Sequence, residues 1–347
     1  MPPTPEAQTA AAAALARALR GLRVEVEEIS VETSAVAIPS YPGGPRPSSS
    51  VTLHGGTACG TGEHVGWTTE EHSAFARRAR ALTRRLRGTR RLGDLARELP
   101  GVLAAPYDRA AIEAAAIDLA LRQANLSLAA LLDAKPQPVR YVVSFEATED
   151  PVARLLDEVG ETPGLGAKVD VDPRWTDATF AALDATSRVA VLDWKRGGAS
   201  ADHERARRLV PEALQEDPGP TPSSCAGVAD RLSLDASFTQ ARALEELPIR
   251  PAAANVKPAR MGGVLEALDG IASCMASGIA VYLGGMFEIG VGRRQLRDLA
   301  ALLCPDAPND VAPIEAGEAG EVRRPRPVRL SPARAGQPGF GASIEDA

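Results

Sequence analysis

Four charged residues at the ends of short apolar runs are of the types that remove protons from carbon. They are Asp193, Glu216, Asp235 and Lys257, separated by 23, 19 and 22 residues. Each gap is about the length of one strand–loop–helix–loop unit, which predicts parallel strands with these residues at their carboxyl ends. Such ends meet at one mouth, where carboxylate oxygens can hold a hard divalent cation. A lysine on the next strand would face that cation across a bound substrate.

Proton removal beside a carboxylate needs a cation to stabilise the developing charge and a base that is neutral near pH 7. The ordinary lysine pKa of about 10.4 must therefore fall, and a metal or a second ammonium lowers it. Lys257 is the predicted base. Lys168 or Lys195 would supply the repelling charge or act as acid or base on the opposite face. Considered singly, each of the three acids is equally explained as an exposed loop carboxylate.

The composition is typical of a globular protein and excludes several classes of partner. The 347 residues carry a net charge of −6, with 44% hydrophobic and 24% charged residues, so no basic field favours nucleic acid. The arginine-rich run 77–91 is expected to be the exposed face of a helix. No uninterrupted apolar stretch of about 18 residues predicts a membrane span. The start lacks a secretion signal and the four cysteines lack metal-ligand spacing, which predicts reduced thiols and a cytoplasmic location.

The second half of the chain alternates predicted strands with predicted helices. The strands are expected at 139–145, 168–172, 189–193, 213–216, 231–235, 253–257, 279–283 and 310–314, and the helices at 176–185, 201–210, 239–247, 263–277 and 293–303. Eight strands that alternate with helices favour an α/β protein with a modified (β/α)8, TIM-like barrel.

The first half favours a smaller α+β domain. Strand-like runs at 24–34 and 51–56 flank a Pro/Gly/Ser stretch at 39–50, which we interpret as a loop that could close over the mouth. Thr68 followed by acids predicts a helix start, and a second helix is expected at 108–125. The predicted division is a poorly anchored extension (1–21), a capping domain (22–136), a barrel (137–315) and an irregular tail (316–347).

Several motifs together resemble the enolase superfamily, in its muconate lactonizing enzyme and o-succinylbenzoate synthase branch, over residues 22–315. The matching segments are Gly60-Thr61-Gly62-Glu63 for G-x-G-E, residues 111–120 for A-x-E-x-A-x-x-D-x-A, Glu216-Asp217-Pro218 for E-[QD]-P, residues 255–263 for N-x-K-P-[AS]-R-x-G-G, and residues 285–293 for G-M-x-E-x-G-x-G-R. The resemblance implies a capping domain over a modified barrel. It also implies Mg²⁺, with Mn²⁺ as the alternative ion, bound by Asp193, Glu216 and Asp235.

This chain departs from the branch at three strand ends. The second strand reads Lys168-Val169-Asp170 where the branch has K-x-K, the third reads Asp193-Trp194-Lys195 where it has D-x-N, and the fifth reads Asp235-Ala236 where it has D-E. The lysine that serves as acid/base on the second strand of the branch is thus replaced by an acid. The metal ligands fit the pattern, and the groups that move the proton are left open.

Three further residues are candidates for binding substrate. Asp170 stands where the branch has the second lysine of K-x-K. Gly285 and Glu288 lie in the glycine-rich segment that follows the seventh predicted strand. Glu288 would either meet substrate or cap the turn. The glycines would either cradle an anion at a helix amino terminus or form a tight turn. The four histidines share no metal-ligand spacing and are expected to be surface or structural residues.

The resemblance implies an enzyme that abstracts the α-proton of a small carboxylate substrate through an enediolate intermediate. The outcome would be dehydration, as in o-succinylbenzoate synthase, or racemisation, epimerisation or cycloisomerisation. The alternative is a catalytically degenerate barrel that binds a carboxylate ligand or a protein partner, which the missing second-strand lysine favours. The sequence is compatible with a homo-oligomer and predicts no nucleic-acid or membrane partner.

Overall fold

The computed structural model describes residues 5–38, 45–160, 162–219, 222–314, 326–332 and 337–341. Its first half contains α1 (Pro5–Gly21), β1 (Arg23–Val26), β2 (Glu28–Val36), β3 (Arg46–Gly55), β4 (Ala58–His64), α2 (Thr69–Ala81), α3 (Thr83–Leu86), β5 (Gly88–Arg91), α4 (Leu92–Glu98), α5 (Pro106–Gln123) and α6 (Leu128–Leu132). Strands β2, β3 and β4 form an antiparallel sheet, and β1 pairs antiparallel with β5. None of the described helices is long and apolar enough to cross a membrane.

Two segments of the first half differ from the sequence-based expectation. Strand β3 begins at Arg46, because residues 46–50 pair with the end of β2, so the predicted loop 39–50 is shorter; residues 39–44 lie outside the described part. The expected poor anchoring of the amino terminus is wrong for α1. Its Leu15 and Leu19 are fully buried, and α1 packs on a helix of the barrel. Burying a leucine side chain stabilises the fold by about 1.5–3 kcal/mol, which is enough to hold this helix in place.

The second half contains β6 (Val142–Phe145), α7 (Pro151–Val159), β7 (Gly166–Asp170), α8 (Asp177–Ala185), β8 (Val189–Asp193), α9 (Ser200–Leu209), β9 (Leu214–Glu216), β10 (Leu232–Leu234), β11 (Ala253–Val256), α10 (Pro258–Met261), α11 (Val264–Ala276), β12 (Ala280–Leu283) and α12 (Val291–Leu303). Strands β6 to β12 form one parallel sheet in sequence order. The predicted α/β barrel with an N-terminal α+β domain is confirmed. The helix expected at 239–247 is instead a 3-10 helix over Ala241–Glu246.

Two residues close the barrel between its first and last strands. Asn309 bridges to Tyr141 beside β6, and Asp310 bridges to Gly284 after β12, both in parallel orientation. The Asn309 side chain reinforces this junction, because its oxygen accepts from Leu283 N at 2.8 Å and its amide nitrogen donates to three backbone carbonyls. The eighth strand predicted at 310–314 is thus reduced to a pair of bridges.

The described parts of the C-terminal tail are held against both domains. Leu330 pairs with Val139 at the start of the barrel, and Phe340 is buried with its backbone N–H bonded to Asp118 of α5. Residues 315–325, 333–336 and 342–347 lie outside the described part, and so does the prediction of an irregular tail for them.

Candidate active site and metal centre

The three predicted metal ligands meet at the carboxyl ends of neighbouring strands. Asp193 ends β8, Glu216 ends β9, and Asp235 directly follows β10. Asp193 and Glu216 are register partners, so the parallel pairing itself places their side chains in one layer. One carboxylate oxygen of each residue lies within 4.8 Å of the others, and all three side chains are buried. The alternative of separate exposed loop acids is excluded by this burial.

Two buried lysines stand at the two ends of this row of acids. Lys168 on β7 places its Nζ 3.0 Å from Asp193 Oδ2 and also bonds Glu216 Oε1. Lys257, which follows β11, places its Nζ 3.1 Å from Asp235 Oδ2. Burial would lower the pKa of Lys168, but Glu216 and Asp193 raise it well above the ordinary value, so its amine is an ammonium here.

Glu216 lies deepest, with 0% exposure, and both of its oxygens are occupied. Oε1 accepts from Lys168, while Oε2 accepts from the hydroxyl of Tyr282 and from Asn255 Nδ2 at 3.2 Å. Burial raises the pKa of Glu216 to about 8, although Lys168 opposes that shift. The two flanking acids behave differently because each contacts two cationic side chains, whereas Glu216 contacts one.

Burial opposes the ionisation of Asp193 and Asp235, but cations outweigh it at both positions. Lys168 and Lys195 hold the pKa of Asp193 well below its usual range. Lys257 and Lys168 lower the pKa of Asp235 to about 2, with a further contribution from Arg260, whose Nη1 bonds Asp235 Oδ1. These two carboxylates are therefore ionised across the neutral range and ready to bind a cation.

Lys195 and Asp170 form an ion pair beside the cluster. They stand at two of the positions where this chain differs from the patterns of the branch. Lys195 Nζ lies 2.6 Å from Asp193 Oδ2 and 3.1 Å from Asp170 Oδ1, and its side chain is 59% exposed. Burial raises the pKa of Asp170 to about 6, although Lys195 opposes that shift. A lysine that follows the third barrel strand, β8, thus pairs with the acid that stands where the branch has its second-strand lysine.

The use of lysine in this chain is itself a signal that sequence reasoning missed. The sequence has only four lysines, and Lys168, Lys195 and Lys257 all lie at this cluster, while arginine supplies nearly all other cationic side chains. An arginine guanidinium stays protonated in proteins, whereas a buried lysine can lose its proton and act as a base. Three of the four lysines of this chain therefore lie where the sequence predicts proton transfer.

Asp310 is a further acid of the site that the sequence did not single out. It lies at the junction that closes the barrel, where its Oδ2 is 3.6 Å from Lys168 Nζ and its Oδ1 accepts from Ser144 Oγ at 2.7 Å. Burial opposes ionisation, but Lys168 and Lys257 lower the pKa of Asp310. A predicted strand that begins with an acid was the available signal.

The glycine-rich segment 284–292 turns its polar groups inward. Glu288 is buried, and its Oε2 accepts from Met286 N at 2.8 Å and lies 3.9 Å from Arg293 Nη2. A Cβ on Gly285 would lie 2.4 Å from that Glu288 oxygen, so glycine is needed for the close approach. These contacts correspond to the turn-capping alternative for Glu288. Substrate binding by Glu288 and Gly285 stays a prediction.

The anion cradled by this segment is a carboxylate of the chain itself. Glu63 at the end of β4 accepts from Ile289 N at 2.7 Å and from Gly290 N and Gly292 N, both at 2.9 Å. These N–H groups precede and open α12, where a negative charge is favourable. The glutamate of the G-x-G-E motif therefore joins the capping domain to the barrel.

A second carboxylate of the capping domain does the same at the next helix. Glu113 on α5 accepts from Leu265 N at 2.9 Å and from Val264 N, at the start of α11. A Cβ on Gly263 would lie 2.4 Å from a Glu113 oxygen, which explains the second glycine of the G-G pair. Burial raises the pKa of Glu113 to about 7.

The histidines and cysteines take no part in the cluster. His64 and His72 are buried in the capping domain, where His64 Nε2 lies 3.0 Å from Asp108 Oδ1 and the two Nδ1 atoms are 3.4 Å apart. Burial and the neighbouring His64 lower the pKa of His72 to about 4. The four cysteines are free thiols, and three of them are buried. These residues have structural surroundings, as expected.

The residues present fit a hard divalent cation. The donor set consists of carboxylate oxygens alone, and three of them converge from separate strands onto one small volume. The balancing charges are the amines of Lys168, Lys195 and Lys257 and the guanidinium of Arg260. A soft-metal site would need thiolate or imidazole groups, and this cluster has neither.

Comparison with known protein families gives a match over most of the chain. Residues 17–131 match the N-terminal domain, and residues 135–316 the C-terminal domain, of a family described as a domain of unknown function, DUF8230. An N-succinylamino acid racemase from Amycolatopsis sp is 31% identical over 221 residues, which are 59% of this chain. That match spans 60% of the racemase, less than two thirds of its length.

Two solved structures share the fold over nearly the whole chain. A mandelate racemase/muconate lactonizing protein from Herpetosiphon aurantiacus has a TM-score of 0.75 at 19% identity and covers 92% of this chain and 98% of its own. A dipeptide epimerase from Methylococcus capsulatus, solved with Mg and the dipeptide L-Arg-D-Lys, has a TM-score of 0.73 at 21% identity and covers 91% of this chain and 99% of its own.

Proposed function

We propose that this chain, which belongs to the DUF8230 family, is a divergent member of the enolase superfamily and a Mg²⁺-dependent enzyme that moves the α-proton of a carboxylate substrate. Racemisation or epimerisation is the reaction that the site supports best. The names of similar proteins suggest N-succinylamino acids and dipeptides as the first substrates to try. A cytoplasmic location and a homo-oligomer stay predictions.

The observation that carries this proposal is the position of two buried lysines at opposite ends of the carboxylate row. Lys168 contacts Asp193 and Glu216, and Lys257 contacts Asp235. Inversion at a carbon requires one group to remove the proton from one face and another to deliver a proton to the other face. A pair of amines separated by the metal ligands has the arrangement that this exchange needs.

Each group then has a distinct task. Lys257 removes the α-proton on one face of the substrate, and Lys168, an ammonium in the metal-free site, delivers a proton to the other face. The reverse reaction exchanges these two tasks. Bound Mg²⁺ would stabilise the negative charge that develops on the substrate carboxylate. Lys195, half exposed beside Asp193 and Asp170, supplies a further positive charge toward the substrate carboxylate. Asp193, Glu216 and Asp235 would hold the metal.

Two alternatives use the same residues. Dehydration of the o-succinylbenzoate synthase kind requires a base on one face only, so it would depend on Lys168 or Lys257 but not on both. A degenerate barrel that only binds a carboxylate ligand is favoured by one observation: Asp170 stands where the branch has its second-strand lysine, and it is paired with Lys195. The two alternatives differ in whether any α-proton exchanges.

Exchange of the substrate α-proton in D₂O, followed by NMR with Mg²⁺ present, tests the proposal. We expect Lys257→Ala to reduce exchange by at least about 100-fold, the usual contribution of general acid–base catalysis. The magnesium isotherm measured by calorimetry should stay close to that of the wild type, because Lys257 is not a metal ligand. Lys135→Ala, which removes an exposed lysine outside the site, is the matched control and should exchange normally.

Three results would count against parts of this proposal. Full activity of Lys257→Ala would remove that lysine from the mechanism. Tight Mg²⁺ binding without exchange on any N-acylamino acid or dipeptide tested would favour the degenerate barrel. Exchange that is lost in Lys257→Ala but unchanged in Lys168→Ala would favour chemistry on one face, and hence dehydration.

A further inference from the structure

One polar side chain from each of four neighbouring strands meets in the barrel interior, at the deepest member of the carboxylate row. They are Glu216 of β9, Ser233 of β10, Asn255 of β11 and Tyr282 of β12, and none is more than 1% exposed. Three of these four are uncharged, and they lie on the side of Glu216 away from Lys168. A buried polar atom without a hydrogen-bond partner costs about 1–3 kcal/mol, and Asn255 Oδ1 is the one side-chain polar atom of these four residues that lacks a partner.

The hydrogen bonds of this group run in one direction and end on the carboxylate. The Tyr282 hydroxyl donates to Glu216 Oε2, and Asn255 Nδ2 donates to the same oxygen at 3.2 Å. Tyr282 OH and Ser233 Oγ are 2.8 Å apart. Because the Tyr282 hydroxyl already donates its hydrogen bond to Glu216, the Ser233 hydroxyl is the donor and Tyr282 the acceptor in this contact. Two donors therefore occupy Oε2, and Oε1 accepts from Lys168, which also contacts Asp193.

We infer that Tyr282 is a positioning residue, whose hydroxyl fixes the Glu216 carboxylate so that Oε1 is presented to the divalent cation. This inference rests on the proposed function, because it concerns the same metal site. A carboxylate that can rotate must lose that freedom when a metal binds. A hydroxyl already bonded to one oxygen sets the orientation beforehand. Tyr282 reaches Glu216 from three strands away, so it acts on the site without touching the reacting atoms.

The test is the affinity of the purified protein for Mg²⁺ alone, measured by calorimetry for the wild type and Tyr282→Phe. We expect a loss of about 10-fold or more, the usual effect of removing a hydrogen bond that orients a metal ligand. Tyr141→Phe is the matched control. Tyr141 is equally buried, and its hydroxyl bonds Pro327 O at 2.8 Å, remote from the carboxylates. Its affinity for Mg²⁺ should equal that of the wild type.

A spectroscopic measurement separates positioning from a merely structural role. Binding of Mg²⁺ to Glu216 changes the charge on the acceptor of the Tyr282 hydroxyl, so the tyrosine ultraviolet spectrum should shift during the titration. The shift should persist in Tyr141→Phe and vanish in Tyr282→Phe. Ser233→Ala, which removes the donor to Tyr282 but leaves Glu216 untouched, should retain the shift. If Tyr282→Phe does not fold, the spectral shift is measured with the wild type and Ser233→Ala.

The outcomes distinguish this inference from the function on which it rests. If Tyr282→Phe binds Mg²⁺ within about two-fold of the wild type, the inference is overturned and the metal site stands. A wild-type spectrum that does not shift as Mg²⁺ binds also overturns it. A wild type that binds no Mg²⁺ overturns the proposed function, and the inference with it.

Discussion

Two groups of buried acids in this molecule are balanced in opposite ways. At the barrel mouth, Asp193 and Asp235 contact lysine amines at 3.0 and 3.1 Å. At the seam between the domains, Glu63 and Glu113 accept hydrogen bonds from the backbone at the amino ends of α12 and α11. All four are carboxylates in sites that water hardly reaches, so burial alone does not identify a functional acid.

The partner decides what each acid can do. A backbone N–H is fixed by the helix that it belongs to, so the seam carboxylates cannot exchange it for another group without disturbing that helix. A lysine side chain can rotate away or transfer a proton, which frees the carboxylate for a metal. The seam acids therefore hold the capping domain on the barrel, and the mouth acids remain available for chemistry.

The sharpest difference between the two regions should appear in metal affinity. Asp235→Asn removes a charged ligand from the mouth, and we expect it to weaken Mg²⁺ binding by about 100-fold or more, since even groups that only orient ligands contribute 10–100-fold. Calorimetry with Mg²⁺ measures this directly. An unchanged isotherm would refute the ligand role of Asp235 and erase the distinction drawn between the mouth and the seam.

Substitution at the seam should instead reduce stability. Glu63→Gln keeps the shape of the side chain but removes the charge that accepts three backbone N–H groups. Hydrogen bonds to charged groups contribute more than neutral ones, so we expect a loss of about 2 kcal/mol in the free energy of unfolding, measured with urea. The Mg²⁺ affinity should stay within about two-fold of the wild type. A loss of affinity as large as that of Asp235→Asn would contradict this assignment.

The smallest effect concerns the pH dependence of stability at the seam. Burial raises the pKa of Glu113 in the folded state to about 7, with Arg20 of α1 opposing and Glu266 of α11 adding to the shift. Folding therefore favours the protonated form, and this contribution to stability is lost as the pH rises from about 4.5 through about 7. Glu113→Gln lacks this titration.

The measurement is the free energy of unfolding of the wild type and Glu113→Gln at pH 5 and at pH 8. We expect the advantage of the wild type over the variant to shrink on going to pH 8 by an amount on the order of 1 kcal/mol. Taking the difference between the two proteins cancels the other titrating groups. An advantage that grows with pH would show that the charged form of Glu113 is the one that the seam favours.

The sequence predicts the mouth well, because its residues obey a rule that can be read along the chain. Asp193, Glu216, Asp235 and Lys257 each follow an apolar run, and parallel strands bring their carboxyl ends to one layer regardless of the loops between them. Strand β8 begins and ends where it was expected, at Val189 and Asp193. The barrel follows from the alternation of strands with helices in the second half of the chain.

Residues that act across the barrel interior could not be predicted in this way. Tyr282 lies in an apolar strand that is covered on both faces, so no alternation tells which side chains point inward. Asn255 and Asp310 are likewise placed by the curvature of the sheet. The anchoring of α1 was readable, since Ala12, Leu15 and Leu19 recur at helical spacing. The role of Glu63 could not be predicted from the sequence, because its backbone partners lie more than 220 residues away along the chain.

The two-residue bridge that closes the barrel links mechanical integrity to electrostatics. Asn309 and Asp310 join the first and last strands, and Asp310 also bonds Ser144 and approaches Lys168. Any fluctuation that parts this junction would withdraw a negative charge from the buried ammonium and leave it more dependent on Asp193 and Glu216. Transient opening of the barrel at these bridges would therefore change how strongly Lys168 retains its proton.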